Sequence, residues 1–307
     1  MSLALIFPGQ GSQAVGMCTE LAEAYPVAAE TLRAADEVLD FPLSTLMREG
    51  PEDELRATKN AQPALLTHSV AALRVLGSRA DEASVAAGHS LGEFSAHVAA
   101  GTLSFEDALR AVRLRGELMY ATGRERPGTM AALIGLSGQV AQELCAQVDS
   151  GVCVPANFNS AAQVVVSGDT QAVGELLELA RAAGAKKAIQ LNVSGAFHSP
   201  LMEPAAQELA THLAAVDFHD PRIPVVANAS VEPVTDGTQA RALLVEQLTA
   251  PVRWLSSVER MVADGADRFY EVGPGKVLTG LNKRNARGVP CTPLGEPNDF
   301  DALENDV

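Results

Sequence analysis

The most informative residues of this chain are 88–92, which read Gly-His-Ser-Leu-Gly and match the motif G-x-S-x-G around Ser90. A short apolar run at residues 84–87 predicts a buried strand before the motif, and residues 93–100 have helical composition after it. A sharp turn between a strand and a helix would hold the Ser90 hydroxyl at the end of a sheet, near backbone N–H groups that could stabilise an oxyanion. The pattern predicts a nucleophilic serine. The alternative is a serine that only caps the helix.

A serine hydroxyl needs a base within hydrogen-bond reach to act as a nucleophile at neutral pH. Of the six histidines, His198 is the best candidate, because residues 194–200 form a predicted crossover loop that could open onto a cleft. His89 should point away from the serine. The other histidines lie in helical or solvated patterns: His68, His97, His212 and His219. The alternative for His198 is a structural position at the start of a helix.

The elements that must position these residues follow an α/β pattern. Residues 3–7 and 84–87 predict buried strands, and helical patterns cover 22–39, 64–76 and 105–121. Further along, helices are predicted at 201–215, 240–248 and 256–263, and strands at 223–227 and 268–272. The acidic tail from Glu296 is predicted to fray.

Between residues 124 and 194 the order of elements changes. Strands are predicted at 130–134, 152–158, 163–167 and 186–193, and helices at 139–148 and 171–183. The order βαββαβ is that of a ferredoxin-like unit. We therefore predict an α/β fold in which a large α/β-hydrolase-like domain with a parallel sheet (residues 1–123 and 195–307) carries an inserted ferredoxin-like subdomain (residues 124–194).

Composition limits the class of protein. The chain has 307 residues, of which 47% are hydrophobic and 20% charged, so a large core can form. A net charge of −15 disfavours nucleic acid and anionic membranes as partners. The four cysteines form no C-x-x-C pair, which fits a reducing compartment and indicates no metal site. The first apolar run is too short for a signal peptide and no long apolar span follows, so we predict a cytoplasmic protein.

Five motifs occur in order along the chain. They read Phe-Pro-Gly-Gln-Gly-Ser-Gln at 7–13, Gly-His-Ser-Leu-Gly-Glu at 88–93, Arg-Leu-Arg-Gly at 113–116, Gly-Ala-Phe-His at 195–198 and Glu-Val-Gly-Pro-Gly at 271–275. Together they resemble the malonyl-CoA:acyl carrier protein transacylases of bacterial fatty-acid synthesis, whose pattern polyketide synthase acyltransferase domains share. The resemblance runs from about residue 3 to residue 284, and five ordered motifs are far more specific than any one alone.

The resemblance implies a ping-pong reaction without a cofactor or metal. Ser90 would take the malonyl group from malonyl-CoA and pass it to the phosphopantetheine thiol of acyl carrier protein. His198 would act as general base and then general acid, oriented by the backbone carbonyl of Gln247 instead of an aspartate. The backbone N–H groups of Gln10 and Leu91 would form the oxyanion hole.

The resemblance also assigns the recognition of the acyl group. Arg115 would bind the malonyl carboxylate through two charge-assisted hydrogen bonds, whereas Arg113 should face elsewhere as a solvated residue. Gln62 and Asn157 are weaker candidates for lining the site. Phe197 before the histidine, like the leucine after the serine, favours malonyl over methylmalonyl, because its ring would fill the space that a branching methyl group needs.

Acyl carrier proteins are acidic, so an acidic enzyme must bind them through a local basic patch. The densest cluster of basic residues is Lys276, Lys283, Arg284 and Arg287, and the second is Lys186 and Lys187. Both could equally be solvated surface. We expect a monomer. The rival functions are the transacylase subunit of a malonate decarboxylase, a serine thioesterase or hydrolase, and a catalytically inactive scaffold.

Overall fold

The computed structural model describes residues 2–305 of the chain, which contain two β-sheets. The larger sheet has six strands, which lie side by side in the order Cys291–Leu294 (β10), Arg268–Val272 (β9), Leu3–Phe7 (β1), Ala83–Gly88 (β2), Val225–Val226 (β7) and Pro233–Val234 (β8). All neighbouring strands of this sheet are parallel except β7 and β8. Parallel neighbours require crossover connections, which helices supply here.

The second sheet has four strands in the order Cys153–Ser160 (β4), Gln163–Asp169 (β5), Gly128–Ile134 (β3) and Lys187–Gln190 (β6). Every neighbouring pair is antiparallel. Helices Gly138–Cys145 (α8) and Thr170–Ala182 (α9) cover one face through a shared apolar cluster. This is the ferredoxin-like arrangement, and the predicted fold class is confirmed. The subdomain boundaries at residues 123/124 and 194/195 stay predictions.

The remaining helices belong to the part of the fold around the larger sheet. Within residues 2–305 they are Thr19–Ala24 (α1), Pro26–Leu39 (α2), Leu43–Glu49 (α3), Glu52–Arg56 (α4), Thr58–Leu76 (α5), Gly92–Ala99 (α6), Phe105–Glu125 (α7), Glu203–Leu213 (α10), Gly237–Glu246 (α11), Trp254–Ala263 (α12), Val277–Asn285 (α13) and Pro297–Asn305 (α14). Short 3-10 helices occupy Gly77–Glu82 and Pro200–Met202. No helix in this described range is long and apolar enough to cross a membrane.

Strand β1 lies at the centre of the core, and all five of its residues are buried. Because side chains alternate along a strand, Leu5 and Phe7 point into one apolar cluster and Ile6 into another. The second cluster includes Trp254 of α12. A strand covered on both faces is apolar without interruption, which is why the run at residues 3–7 could be predicted.

Several helices and strands begin or end at residues other than those predicted. The helix predicted at 22–39 is two helices, because Pro26 begins α2, and proline fits the first turn, where its missing N–H is not needed. Helix α5 begins before residue 64 and α7 continues past residue 121. The strands predicted at 186–193 and 223–227 shorten to β6 and β7. Helix α13 and strand β10 were not predicted.

The prediction of a frayed tail from Glu296 is wrong for the described residues. Helix α14 forms there, and Phe300 is buried against the core. The Phe300 ring meets Tyr25 edge to face, with 5.9 Å between ring centroids. Asp299 accepts hydrogen bonds from the backbone N–H groups of Gly295 and Glu296 at 3.1 and 3.0 Å. One apolar anchor and one capping carboxylate therefore order a segment whose composition is acidic.

We expect Phe300→Ala to lower the free energy of unfolding by about 3 kcal/mol, because it removes a buried aromatic side chain and leaves a cavity. Asn298→Ala is the matched control on an exposed position of the same helix and should change stability by less than about 0.5 kcal/mol. Urea unfolding of the two variants measures the difference. Equal stabilities would contradict a docked C-terminal helix.

Candidate active site

Ser90 lies at a tight turn between β2 and α6 and has the left-handed backbone conformation, with φ of +52°. Non-glycine residues rarely adopt this conformation, and where they do it often marks a functional site. Glycines on both sides make the turn possible. A Cβ atom on Gly88 would overlap with the carbonyl group of Gly92, and one on Gly92 would overlap with the carbonyl oxygen of Phe7.

Asn228, which follows β7, holds the turn from the other side. Its side-chain oxygen accepts from the Ser90 backbone N–H at 2.7 Å, and its side-chain nitrogen donates to the Gly88 carbonyl oxygen at 2.7 Å. Asn228 is fully buried. No motif in the sequence marks this residue, because the contact joins positions 138 residues apart.

The structure brings Ser90 and His198 together. The hydroxyl oxygen of Ser90 lies 2.7 Å from His198 Nε2, and His198 Nδ1 lies 2.8 Å from the main-chain oxygen of Gln247. A carbonyl oxygen only accepts, so Nδ1 carries the proton and Nε2 is free to accept from the serine hydroxyl. Burial, with the nearby charge of Arg115, lowers the pKa of His198 to about 3, so the ring is neutral at neutral pH.

Arg115 extends from α7 to the same point and is fully buried. Its Nη1 donates to the side-chain oxygen of Gln62 at 2.7 Å, and its Nη2 donates to that of Gln247 at 2.9 Å. The same Nη2 lies 3.4 Å from the Ser90 hydroxyl oxygen. Burial lowers the pKa of Arg115 to about 10, which leaves the guanidinium charged at neutral pH. A cation is therefore held beside the serine by uncharged partners.

A chain of side chains links Arg115 to the loop after β1. Gln62 donates to the hydroxyl of Thr58 at 3.0 Å, and Thr58 donates to the side-chain oxygen of Gln10 at 3.0 Å. The backbone N–H groups of Gln10 and Leu91 donate to no backbone or side-chain acceptor among residues 2–305. Both groups are therefore free to donate to an oxygen of a ligand.

Ser90 and His198 line a cavity of about 760 Å³ between the two sheets. From the larger part of the fold Gln10 and Phe197 also line it, and from the smaller sheet the lining residues include Met130, Ala132, Asn157 and Val165. Asn157 thus lies on the cavity wall, as predicted for a residue that lines the site. Gln62 does not: it is fully buried behind the wall, where it contacts Arg115.

A buried carboxylate lies behind the serine. Glu93, in the first turn of α6, accepts from the side-chain nitrogen of Gln247 at 2.7 Å and from the backbone N–H of Asn228 at 3.0 Å. Burial raises the pKa of Glu93 to about 7, while these two hydrogen bonds and the charge of Arg115 act in the opposite direction. The motif at residues 88–93 contains Glu93, but its partners are distant in sequence and could not be predicted.

The side chains of His89 and Arg113 bind partners other than Ser90 and His198. The His89 ring lies 2.8 Å from the side-chain oxygen of Asn159 and packs on Trp254. Arg113 faces away from Ser90, as expected, but the expectation that it is a solvated residue is wrong. It is half-buried and donates to Glu117 of the same helix at 2.6 Å. It also donates to Asn60 of α5 at 2.7 Å, because α5 and α7 pack closely there.

The two predicted basic patches lie on different parts of the surface. Lys283, Arg284 and Arg287 are exposed at and just after the end of α13, and Lys276 before it is 3.9 Å from Asp299. Lys186 and Lys187 are exposed at the start of β6. The end of α13 is close to the cavity, because the side chain of Asn285 donates at 2.8 Å to the main-chain oxygen of Asn159, a residue of the cavity wall.

The described residues hold no group of three or more His, Cys, Asp or Glu side chains placed to bind a metal ion. The site therefore consists of a serine with a paired neutral histidine, two free backbone donors and a buried cation. Such a set can form an acyl ester on the serine and can bind a carboxylate next to it.

Comparison with known proteins agrees with this chemistry. The family profile described as Acyl transferase domain matches residues 4–296. A malonyl CoA-acyl carrier protein transacylase from Escherichia coli (strain K12) is 46% identical over 297 residues, which cover 96% of this chain and 96% of that protein. The crystal structure of an acyl carrier protein S-malonyltransferase from Vibrio cholerae has a TM-score of 0.95 and 44% identity, and the match covers 99% of this chain and 100% of that chain.

A third relative was solved with its partner. In a structure of a type II PKS acyl-carrier protein in complex with its malonyl-transacylase, the matched chain has a TM-score of 0.96 and 42% identity, over 99% of this chain and 100% of that chain. The resemblance predicted from the five motifs is confirmed. The chain belongs to the acyl transferase family, and malonyl-CoA:acyl carrier protein transacylases are among its relatives.

Proposed function

We propose that this enzyme transfers the malonyl group of malonyl-CoA to the phosphopantetheine thiol of acyl carrier protein, through an ester on Ser90, and so supplies fatty-acid synthesis. The observation that carries the proposal is the buried guanidinium of Arg115, 3.4 Å from the Ser90 hydroxyl oxygen. A serine–histidine pair would serve many acyl groups. A fixed cation beside it selects an acyl group that ends in a carboxylate.

The first half-reaction forms the ester. The Ser90 oxygen attacks the thioester carbonyl carbon while His198 Nε2 takes the hydroxyl proton. The backbone N–H groups of Gln10 and Leu91 stabilise the resulting oxyanion. The carbon–sulfur bond then breaks, and the leaving sulfur of CoA receives the proton from His198.

The second half-reaction reverses these steps with a different thiol. His198 takes the proton of the phosphopantetheine thiol, and the sulfur attacks the ester carbonyl carbon. The carbon–oxygen bond to Ser90 breaks, and the serine oxygen takes the proton back. A carbonyl orienting His198 stabilises the protonated ring less than a carboxylate would. This suffices here, because a thiolate leaves more easily than an amine.

Selectivity follows from the same residues. With acetyl-CoA the charge of Arg115 would stay unpaired in a partly dry pocket, so acetyl should be a poor substrate. Phe197 lies on the cavity wall, and we propose that its ring excludes the methyl group of a branched acyl group. Malonyl is therefore the acyl group that we propose.

Every group used in these steps belongs to one chain, and the steps balance without a redox or electron-accepting group. We therefore propose activity without a resident cofactor, and the monomeric state stays a prediction. A cytoplasmic location stays a prediction from composition.

Incubation with labelled malonyl-CoA should give a stable ester on Ser90, detected by mass spectrometry of the intact protein and its peptides. Ser90→Ala should give no ester. Arg115→Met should lower the rate of ester formation by about 100-fold, since it removes the charged partner of the malonyl carboxylate. Holo-acyl carrier protein should discharge the ester to malonyl carrier protein.

The same experiment tests the rival functions. Rapid release of free malonate without a carrier would contradict transfer and indicate a hydrolase. Discharge by the carrier protein of a malonate decarboxylase, but not by that of fatty-acid synthesis, would indicate the decarboxylase subunit. A protein that forms no ester would be an inactive scaffold.

The pH dependence of ester formation tests the neutral base. Because the pKa of His198 is lowered to about 3, Nε2 stays unprotonated at pH values where an ordinary histidine takes up a proton. We expect kcat/KM for malonyl-CoA to change by less than about twofold between about pH 7.5 and about pH 5.5. A histidine with an unshifted pKa would lose about tenfold over this range, and a loss of that size would contradict the geometry described.

We also propose that the acidic carrier docks at the end of α13 rather than at β6. Lys283, Arg284 and Arg287 are exposed there, and ion pairs with other described residues do not neutralise them. Asn285 connects this end of the helix to the cavity wall. A carrier bound here would bring its flexible phosphopantetheine arm next to the cavity that contains Ser90.

Reversal of charge in the double variant Lys283→Glu/Arg284→Glu should raise KM for the carrier on the order of tenfold at low salt. The rate of ester formation from malonyl-CoA should not change. The matched control is Lys186→Glu/Lys187→Glu, which should leave both values near those of the wild type. A larger effect of the control on carrier KM, or an equal effect of the first variant on both substrates, would contradict docking at α13.

A further inference from the structure

We propose that Glu93 is a positioning residue for the substrate carboxylate: its side chain fixes the orientation of the Gln247 amide, and that amide holds the Arg115 guanidinium beside Ser90. The inference rests on the proposed function, because it takes Arg115 as the partner of the malonyl carboxylate. Glu93 does not line the cavity and touches no reacting atom, so it acts on Arg115 indirectly, through its hydrogen bond to Gln247.

Gln247 makes hydrogen bonds to four residues around the site: His198, Arg115, Ser90 and Glu93. Its main-chain oxygen accepts from His198 Nδ1 at 2.8 Å, and its side-chain oxygen accepts from Arg115 Nη2 at 2.9 Å. Its side-chain nitrogen donates to Glu93 at 2.7 Å and to the main-chain oxygen of Ser90 at 3.0 Å. Gln247 is fully buried, so a partner lost from one of these hydrogen bonds would leave a polar group away from bulk solvent.

The partners of the amide allow only one orientation. On one side lie two acceptors, Glu93 and the Ser90 carbonyl oxygen, and on the other side lies Arg115, which can only donate. The nitrogen must therefore face Glu93 and the oxygen must face Arg115. A reversed amide would place two donors against each other and an oxygen against two acceptors. Arg115 thus depends on Glu93 without touching it.

This indirect arrangement leaves the guanidinium available. A carboxylate in direct contact with Arg115 would occupy its donors and compete with a carboxylate of the substrate. The hydrogen-bond acceptors described for Arg115 are instead uncharged: Gln62, Ser90 and Gln247. The charge of Glu93 also attracts Arg115, but the side chain of Gln247 lies between them. The buried guanidinium of Arg115 is thus stabilised by the nearby carboxylate of Glu93 and remains free to bind the carboxylate of the substrate.

Glu93 has one other hydrogen bond, from the backbone N–H of Asn228, whose side chain holds the Ser90 turn. A test must therefore separate an effect on Arg115 from an effect on the nucleophile. Glu271 offers a matched control. It is equally buried, and its carboxylate accepts from two backbone N–H groups, those of Leu278 and Thr279, at 2.9 and 2.7 Å.

The experiment compares two acylating reagents on Glu93→Met and Glu271→Met, because methionine removes the acceptor oxygen that glutamine would keep. Malonyl-CoA requires Arg115, whereas p-nitrophenyl acetate is a small uncharged ester that requires only Ser90 and His198. We expect Glu93→Met to lower the rate constant for malonyl-CoA by about 30-fold and that for p-nitrophenyl acetate by less than about threefold. Glu271→Met should lower neither by more than about threefold.

A second comparison uses the Arg115→Met background. If Glu93 acts through Arg115, adding Glu93→Met there should cause no further loss with malonyl-CoA, because both changes remove the same interaction. A further loss of about 30-fold would overturn the inference.

Other results would also overturn it. Equal losses with both reagents would show that Glu93 serves the serine turn, and an unchanged rate with malonyl-CoA would show that it serves neither. If Glu93→Met does not fold, Gln247→Met keeps the main-chain carbonyl and should reproduce the selective loss. Absence of that selectivity overturns the inference. A wild-type protein that reacts with p-nitrophenyl acetate but not with malonyl-CoA would instead refute the proposed function.

Discussion

The hydrogen bond from His198 Nδ1 to the main-chain oxygen of Gln247 is the interaction on which the site depends. It fixes the proton on one ring nitrogen, so the other can accept from the Ser90 hydroxyl. Because the acceptor is a main-chain carbonyl, the side chain of Gln247 is free for a second task, and it holds Arg115. One residue therefore links His198 to Arg115, so the proposed selectivity for a carboxylate would be built into the support of the histidine.

The fold and the turn that holds Ser90 could be predicted because their signals are local. The strand at residues 3–7 is a continuous apolar run in a covered parallel sheet. It and the strand at residues 268–272 have the bounds predicted for them. The tight turn around Ser90 needs glycines at fixed positions, so it can be recognised from the sequence motif alone. For His198, Arg115 and Gln247 the spacing alone left alternatives open, and the resemblance to a family was needed to choose among them.

The remaining features depend on contacts between distant positions. Asn228 and Glu93 meet Ser90 and Gln247 only after the chain has folded, and an isolated Asn or Glu has no pattern of its own. The tail after Glu296 has the acidic composition of a frayed end. The single aromatic residue that anchors it, Phe300, is too weak a signal in the sequence to predict the helix. Arg113 shows the same limit, since one of its partners, Asn60, lies on another helix.

The most direct test of this account is a crystal structure of the malonyl ester, formed with malonyl-CoA in the absence of carrier protein. We expect the malonyl carboxylate to lie within about 3 Å of the Arg115 guanidinium. The Gln247 amide should keep its oxygen toward Arg115 and its nitrogen toward Glu93. A carboxylate that points to solvent or to another cation, with Arg115 still bound only to Gln62 and Gln247, would contradict the account.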